Sequence, residues 1–141
     1  MQNDQTTTEA APAPLVAQSL EASLTVADVR RSVAWYRDVL LFTVDREFER
    51  DGRLFAVSLR AGAIRILLTQ DDGAKGADRA KGAGFSLQIT TAQDIDALAS
   101  NAKRAGAVLD TEPADAWGAR VFRLRDPDGF RLVFSSPREQ R

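Results

Sequence analysis

One succession of elements occurs twice along the chain, and it limits the folds that the chain can adopt. A strand-like alternation of apolar and polar residues leads into an amphipathic helical segment, and three more strand-like runs follow. The first copy begins near Glu21 and the second near Gly84, about sixty residues later, with slight identity between them. Since a helix that covers one face of a sheet gives an α+β arrangement, the sequence predicts two βαβββ modules.

In the first copy, Leu24 and Val26 lie on one face of the predicted first strand. Asp28 is the expected N-cap of a helix over VRRSVAWYRDVLLF. Hairpin turns are predicted at 51–52 and 61–62, between strand-like runs at roughly 42–49, 53–60 and 62–69. The segment DDGAKGADRAKGAG, 71–84, lacks apolar periodicity and is predicted to be a mobile connector.

The second copy opens on Phe85, Leu87 and Ile89, which alternate with polar residues. Thr91 and Asp94 have the spacing of a capping box before the helix DIDALASNAKRAG, which Gly106 would terminate. Strands are then predicted at about 107–112, 118–125 and 130–135. The DPDG sequence at 126–129 predicts the turn of the last hairpin.

The composition excludes several kinds of site. The chain has no cysteine and no histidine, so disulfides, thiolate nucleophiles, zinc–sulfur centres and imidazole chemistry are ruled out. A metal would have to bind oxygen ligands alone, and acid–base catalysis would depend on Asp, Glu, Lys or the single tyrosine, Tyr36. The net charge of −1 gives no basic footprint for nucleic acid.

The chain is expected to form a single domain over 19–136, with modules at about 20–70 and 84–135. Residues 1–18 are polar and rich in Ala and Pro, without the features of a signal peptide, and they predict a flexible tail. Residues 137–141 form a short C-terminal tail. Because neither a targeting signal nor a membrane span is recognisable, a cytoplasmic protein without a membrane partner is expected.

The alternation along the strands assigns residues to two faces of each sheet. The set predicted to face the helices is Leu24, Val26, Ile64, Ile66, Leu68, Phe85, Leu87, Ile89, Phe122, Leu124, Leu132 and Phe134. The opposite set is Glu21, Ser23, Thr25, Ala63, Arg65, Leu67, Ser86, Gln88, Val121, Arg123, Arg131 and Val133. The second set is either a solvated face or, if the modules curl together, the polar and apolar lining of a small-molecule cup.

Two stretches resemble the vicinal oxygen chelate superfamily, which groups glyoxalases, bleomycin resistance proteins and extradiol dioxygenases. SLTVADVRRSVAWYRDVLLF is similar to its first strand and helix, and WGARVFRLRDPDGFRLVF to its terminal hairpin. Leu41 departs from the pattern, because the family usually has glycine there. The positions that match its D…S…FY…L pattern are Asp28, Ser32, Trp35, Tyr36 and Leu40. The resemblance spans about 20–135 and implies an open, cup-like mixed sheet and a homodimer.

The resemblance also locates the family's metal ligands in this sequence. The four positions fall on Glu21, Arg65, Gly84 and Val133. A single carboxylate cannot fill the coordination sphere of a hard divalent ion, and the fixed charge of Arg65 repels such an ion. The expectation is therefore that the protein uses no metal or other cofactor.

The first functional hypothesis is a metal-independent protein that binds a small molecule, either a drug or a metabolite. Trp117 offers an aromatic surface, with packing as the equal alternative, and the arginines favour an anionic ligand, whereas Glu21 allows a basic one. Glu21 and Arg65 either pair with each other or contact the ligand. The residues predicted to bind the ligand are Glu21, Ser23, Arg65, Ser86, Gln88, Trp117, Arg123 and Arg131.

Two other functions remain open from the sequence. One is a lyase, isomerase or dioxygenase of the glyoxalase type with a non-standard site, in which Glu21 would act as a base and Arg65 would stabilise charge. Ring-cleaving dioxygenase chemistry is disfavoured, because its iron site requires two imidazoles. The other is a protein-interaction role, in which a partner or the tail fills the cup.

Overall fold

The computed structural model describes residues 11–76 and 79–138. The first module contains β1 (Ala22–Val26), α1 (Val29–Leu40), β2 (Thr43–Arg50), β3 (Arg53–Ala61) and β4 (Ile64–Gln70). The second contains β5 (Ser86–Thr90), α2 (Ile95–Arg104), β6 (Leu109–Ala116), β7 (Ala119–Arg125) and β8 (Arg131–Pro137). Neither helix in these ranges is long and apolar enough to cross a membrane. The predicted tail residues 1–10 and 139–141 lie outside the described residues.

Each module forms a mixed sheet of four strands. The strand order is β1-β4-β3-β2 in the first sheet and β5-β8-β7-β6 in the second. In both sheets the first strand of the module runs parallel to the last, and the other neighbours are antiparallel. The predicted α+β fold with two βαβββ modules is confirmed, and each sheet is a separate hydrogen-bonded unit within the described part of the chain.

The two modules meet through their helices. Helix α1 contacts β2, β3 and β4 of its own sheet, α2 contacts β6, β7 and β8, and the two helices contact each other. At this contact the Asn101 side chain donates to the backbone oxygens of Asp38 and Val39, at 3.3 Å each. Apolar residues of both modules form one buried cluster. The sheet faces that point away from the helices are therefore left open on a single chain.

The amphipathic pattern of α1 is the reason that it packs on the first sheet. Asp28 caps the helix, and its carboxylate accepts hydrogen bonds from the backbone amides of Arg30 and Arg31, as predicted. Val29, Tyr36 and Val39 recur at helical spacing and are buried. Burial of this stripe fixes the side of β1 and β4 that becomes the core.

One detail of the alternation was predicted wrongly. Phe85 is 46% exposed and lines a cavity with Ser86 and Gln88 instead of facing the helices. It precedes β5 and follows Gly84, whose φ is +71°. Alternation assigns a face only within a paired strand, so it fails at this strand end.

Two other residues have a burial that parity alone does not give. Ile64, the first residue of β4, is 37% exposed although it borders the same cavity as Leu40 and Leu98 of the two helices. Val121, assigned to the open face, is buried but lies outside the core cluster.

The start of α2 and the end of β6 also differ from the prediction. Asp94, not Thr91, is the N-cap of α2, because its carboxylate accepts from the amides of Asp96 and Ala97. The Thr91 hydroxyl instead accepts from the amide of Gln93. Strand β6 continues to Ala116, so Trp117 lies in the turn before β7.

Leu41 is expected to be replaceable by glycine with a gain in stability. It ends α1 at φ +64° and ψ +29°, and its amide donates to the backbone oxygen of Tyr36. This left-handed conformation costs a residue with a Cβ about 1–2 kcal/mol. Glycine avoids that strain, but it loses more conformational entropy on folding, which offsets part of the gain. Leu41→Gly should therefore raise the free energy of unfolding by about 0.5–1 kcal/mol in urea denaturation. Leu41→Ala keeps the Cβ and is the control; equal stability of the two variants would contradict the argument.

Candidate functional site

A groove lies at one end of the first sheet, between the β2–β3 hairpin and the segment that follows β4. It has a volume of about 690 Å³. Thr25 and Thr69, which are register partners on β1 and β4, form part of its floor with Leu54 and Phe55. We call this cavity the module 1 groove; its remaining lining residues are Arg50, Asp51, Arg53, Gln70, Asp71, Asp72, Ala74, Lys75 and Arg79.

The wall of the groove comes from the predicted connector, whose described parts are held by side-chain contacts. The Asp71 carboxylate accepts from the amide of Gly73 at 2.9 Å. The same carboxylate contacts Arg79 Nη2 at 3.2 Å and Lys81 Nζ at 3.0 Å. Asp72 accepts from the amide of Ala74 at 2.9 Å. A segment without apolar periodicity is thus anchored by polar contacts that composition alone does not reveal.

The charge of Asp71 is stabilised where it lies. The hydrogen bond from the Gly73 amide, followed by that from Lys81, holds the pKa of the Asp71 carboxyl below its usual range, against the opposing effect of desolvation. Within the described residues, Nε of Arg79 is buried and has no hydrogen-bond partner. In the groove, the charge of the Asp71 carboxylate is therefore balanced by Arg79 and Lys81. The Nε donor of the neighbouring Arg79 has no acceptor among the described residues.

A second, smaller cavity lies on the open face of the second sheet. It has a volume of about 320 Å³, and we call it the module 2 pocket. Ser86, Gln88, Arg123 and Arg131, half of the predicted ligand-binding residues, line it together with Val133. The register explains this: Ser86 pairs with Arg131, and Val133 lies between Gln88 and Arg123. Its other lining residues are Gly84, Phe85, Asp110, Leu124 and Leu132.

Three of the other predicted residues lie on the first sheet or next to it. Glu21 precedes β1, Ser23 lies on β1, and Arg65 lies on β4. None of them lines the module 1 groove or the module 2 pocket. Arg65 Nε contacts Asp45 Oδ2 at 3.6 Å, so Asp45 is its partner in the described residues, and the alternative of a Glu21–Arg65 pair is not seen there.

Trp117 lies apart from both cavities. It occupies the turn between β6 and β7 with φ +53°, followed by Gly118 at +74°, and its side chain is fully exposed. Two successive positive φ values are typical of a type I′ hairpin turn. Trp35, in contrast, packs against the core, with its ring edge-on to that of Tyr36 at 5.0 Å.

The family's metal positions do not carry a ligand set in this chain. Gly84 has no side chain, and Val133 is apolar and lines the module 2 pocket. Arg65 is cationic, and its contact is the carboxylate of Asp45. Glu21 alone could donate an oxygen, and the described residues contain no cluster of three or more acidic side chains suited to a metal. The donor set therefore does not fit a divalent ion.

The DPDG turn has a role that the sequence did not reveal. The Asp126 carboxylate is buried and accepts from the Tyr36 hydroxyl of α1 at 2.8 Å. Asp128 accepts from the amide of Ala27 at 2.8 Å and from Lys81 Nζ at 3.3 Å. This turn of the second module therefore holds the β1–α1 corner of the first. Both motifs were recognisable, but their contact spans 90 residues of sequence.

The groove residues Arg50, Arg53, Phe55, Lys75 and Arg79 were also missed by sequence reasoning. The only sequence signal was the pair of arginines on either side of the predicted Asp51-Gly52 turn. Two arginines next to a turn indicate a site only once the structure shows that the connector lies opposite the β2–β3 hairpin and forms a groove with it.

Comparisons with solved structures agree with this architecture. TioX from Micromonospora sp. ML1 is 21% identical, with a TM-score of 0.68 over 86% of this chain and 99% of its own. TnmS3, an antibiotic binding protein from Streptomyces sp. CB03234, is 16% identical, with a TM-score of 0.70 over 89% and 99%. A glyoxylase/bleomycin resistance protein/dioxygenase domain from Frankia sp. EAN1pec is 22% identical, with a TM-score of 0.72 over 90% and 96%. At these identities the likeness shows a common fold.

No curated protein matches the chain. The family model that describes the Glyoxalase/Bleomycin resistance protein/Dioxygenase superfamily matches residues 18–134, which include both modules. That range contains the two stretches whose resemblance the sequence indicated. The chain belongs to the glyoxalase/bleomycin resistance protein/dioxygenase superfamily.

Proposed function

We propose that this protein binds a small molecule without the help of a metal ion. The observation that carries the proposal is the module 1 groove, whose volume of about 690 Å³ is typical of small-molecule sites. Its floor includes Leu54 and Phe55, and charged side chains form its rim. Apolar surface gives binding energy, while a few polar groups fix orientation. The antibiotic-binding description of TnmS3, at 16% identity, adds support at the level of the family.

The predicted residues in the module 2 pocket fit the same proposal. Ser86, Gln88, Arg123 and Arg131 present hydrogen-bond donors on one open face. We further propose that the protein is a cytoplasmic homodimer, in which a second copy covers the open sheet faces and encloses the ligand. Glu21, Ser23, Arg65 and Trp117 would then contribute from outside the two cavities. Light scattering on the purified protein tests the assembly: a monomer at micromolar concentration would contradict it.

Binding can be tested by thermal unfolding against a panel of drugs and aromatic metabolites, with and without a chelator. A ligand at about a hundred times its dissociation constant should raise the melting temperature by roughly 8 °C, and the chelator should not change this. Phe55→Ala should weaken binding, since it removes part of the groove floor. A tightly held stoichiometric metal, or stabilisation that the chelator abolishes, would contradict a metal-independent site.

A further inference from the structure

Basic side chains dominate the rim of the module 1 groove. Arg50, Arg53, Lys75 and Arg79 line it, opposed by Asp51, Asp71 and Asp72. Two of these acids are already engaged. Asp71 contacts Arg79 and Lys81, and Asp72 accepts from the backbone amide of Ala74. The charge of Asp71 is therefore balanced inside the wall of the groove by Arg79 and Lys81, whereas the amide of Ala74 orients Asp72 without cancelling its charge. Among the described lining residues, four positive charges stand against three negative ones, so the surplus at the groove is positive.

Several arginines are register partners of other arginines in the two sheets. In the part of the chain that the structure describes, three pairs of arginines lie directly opposite each other across neighbouring strands, an arrangement of like charges that is destabilising. The pairs are Arg50–Arg53, Arg60–Arg65 and Arg125–Arg131.

In two of the three pairs, a neighbouring carboxylate reduces the repulsion between the arginines. Asp45 contacts both Arg60 and Arg65, at 3.0 and 3.6 Å. Asp110 contacts Arg125 at 3.0 Å. In the described residues, the Arg50–Arg53 pair at the groove has no such partner, and Asp51 in the turn between the two forms no ion pair with either.

The groove floor can hold a flat group beside this charge. The guanidinium carbon of Arg50 lies 3.9 Å from the centroid of the Phe55 ring. An arginine stacked on an aromatic face keeps its N–H edges free, and these edges match the oxygens of a carboxylate or phosphate. Leu54, Thr25 and Thr69 continue the surface next to Phe55.

We infer that the module 1 groove takes a ligand with an oxyanion, such as a carboxylate, sulfonate or phosphate, attached to a flat apolar body. The anion would lie between Arg50 and Arg53 with Lys75 nearby, and the apolar body would lie against Leu54 and the edge of the Arg50–Phe55 stack. This inference rests on the proposed small-molecule function and names the chemical class of ligand for it. The positive charge of Arg50 and Arg53, which no carboxylate of the described residues pairs, then has a binding role rather than a structural one.

The inference can be tested with two fluorescent probes that differ in charge. Anilinonaphthalene sulfonate carries an anion, and phenylnaphthylamine has the same aromatic body without it. Fluorescence titration of the full chain should show at least tenfold tighter binding of the sulfonate. The double variant Arg53→Gln/Lys75→Gln should lose most of that preference and leave the affinity for the neutral probe unchanged. In the absence of ligand, Arg53→Gln should also raise the unfolding midpoint slightly, because it removes one of two opposed charges.

A matched control is Arg104→Gln, which removes an exposed charge from the last turn of α2, outside both cavities. It should keep the preference for the sulfonate. Equal affinity for both probes would overturn the anionic class and leave the small-molecule function standing, whereas absence of binding by either probe would count against both. Loss of the preference in Arg123→Gln, which removes a charge from the module 2 pocket, with Arg53→Gln/Lys75→Gln unaffected, would overturn the location.

Discussion

Asp126→Ala is expected to lower the free energy of unfolding by about 4 kcal/mol, because it removes the acceptor of three hydrogen bonds. The Asp126 carboxylate accepts from the Tyr36 hydroxyl at 2.8 Å, from the Asp128 amide at 2.9 Å and from the Phe130 amide at 2.8 Å. Alanine would leave a buried hydroxyl and two backbone amides without their acceptor. Each such unpaired group costs about 1–3 kcal/mol.

The same carboxylate should give the protein a measurable pH dependence. Burial raises the pKa of Asp126 above its usual value, although the hydrogen bonds from Tyr36 and the two amides oppose the shift. A group with a raised folded pKa contributes stability below its unfolded pKa of about 3.9, and that contribution is lost as the pH rises through the folded value. Asp126→Asn should remove this decline from a plot of unfolding free energy against pH.

Tyr36→Phe measures the contribution of the Tyr36 hydroxyl alone, because it leaves the two amide donors to Asp126 in place. At neutral pH it removes a donor to an ionised buried carboxylate, so we expect a loss of about 2 kcal/mol in the free energy of unfolding. The loss should be smaller at low pH, where Asp126 is protonated. Burial also raises the pKa of the Tyr36 phenol, which keeps it a donor at neutral pH.

A double-mutant cycle on Tyr36→Phe and Asp126→Asn, measured by urea denaturation, should show coupling well above 0.5 kcal/mol. Asp38→Ala combined with Tyr36→Phe is the control, since the ion pair of Asp38 with Arg37 is exposed and the two substitutions should be additive. Additivity of Tyr36→Phe and Asp126→Asn would show that the contact does not join the modules energetically.

The second large effect is expected for Lys81→Met, which should lower the melting temperature by roughly 6 °C. The Lys81 ammonium lies 3.0 Å from Asp71 and 3.3 Å from Asp128, and the three side chains are only 11%, 14% and 7% exposed. In the described residues Lys81 contacts both carboxylates, whereas Arg79 contacts Asp71 alone. Removing Lys81 therefore leaves Asp128 without its cation and facing Asp71, which costs more than the loss of an exposed pair. The connector and the DPDG turn would then repel each other.

The pH dependence of Lys81→Met gives a second measurement. The Gly73 amide, followed by Lys81, lowers the pKa of Asp71, so the stability from Asp71 is present at neutral pH and lost as the pH falls through the folded pKa. The variant should lose part of this acid sensitivity. Lys103→Met removes an exposed pair with Glu112 and should change the melting temperature little. Equal effects of the two lysine substitutions would contradict the role assigned to Lys81.

Local patterns were sufficient for most of the fold. Some features depend only on residues a few positions apart, so the sequence alone predicts them. They are the N-cap at Asp28, the Asp51-Gly52 turn and the strand alternation around Leu24 and Leu132. Local rules failed where no neighbour restrains the chain, as at Phe85, or where two caps compete, as at Thr91 and Asp94.

The candidate site was only partly predictable. Ser86, Gln88, Arg123 and Arg131 line one pocket, as the alternation predicted. Every second residue of a strand points to the same face of the sheet, so the sequence is enough to assign these side chains to one face. The module 1 groove was not foreseen, since its wall is a polar segment with no periodicity. Trp117 was foreseen as a residue of interest, but the extra length of β6 places it at a hairpin tip.

The sequence by itself determined the two modules and their helices, because the periodicity of apolar residues is a local property. Only the tertiary structure decided that the modules meet through α1 and α2, that Asp126 accepts from Tyr36, and that Arg50 and Arg53 face the connector across a groove. Those contacts join residues far apart in the chain, and their energies depend on burial and distance, which appear only when the two modules pack together.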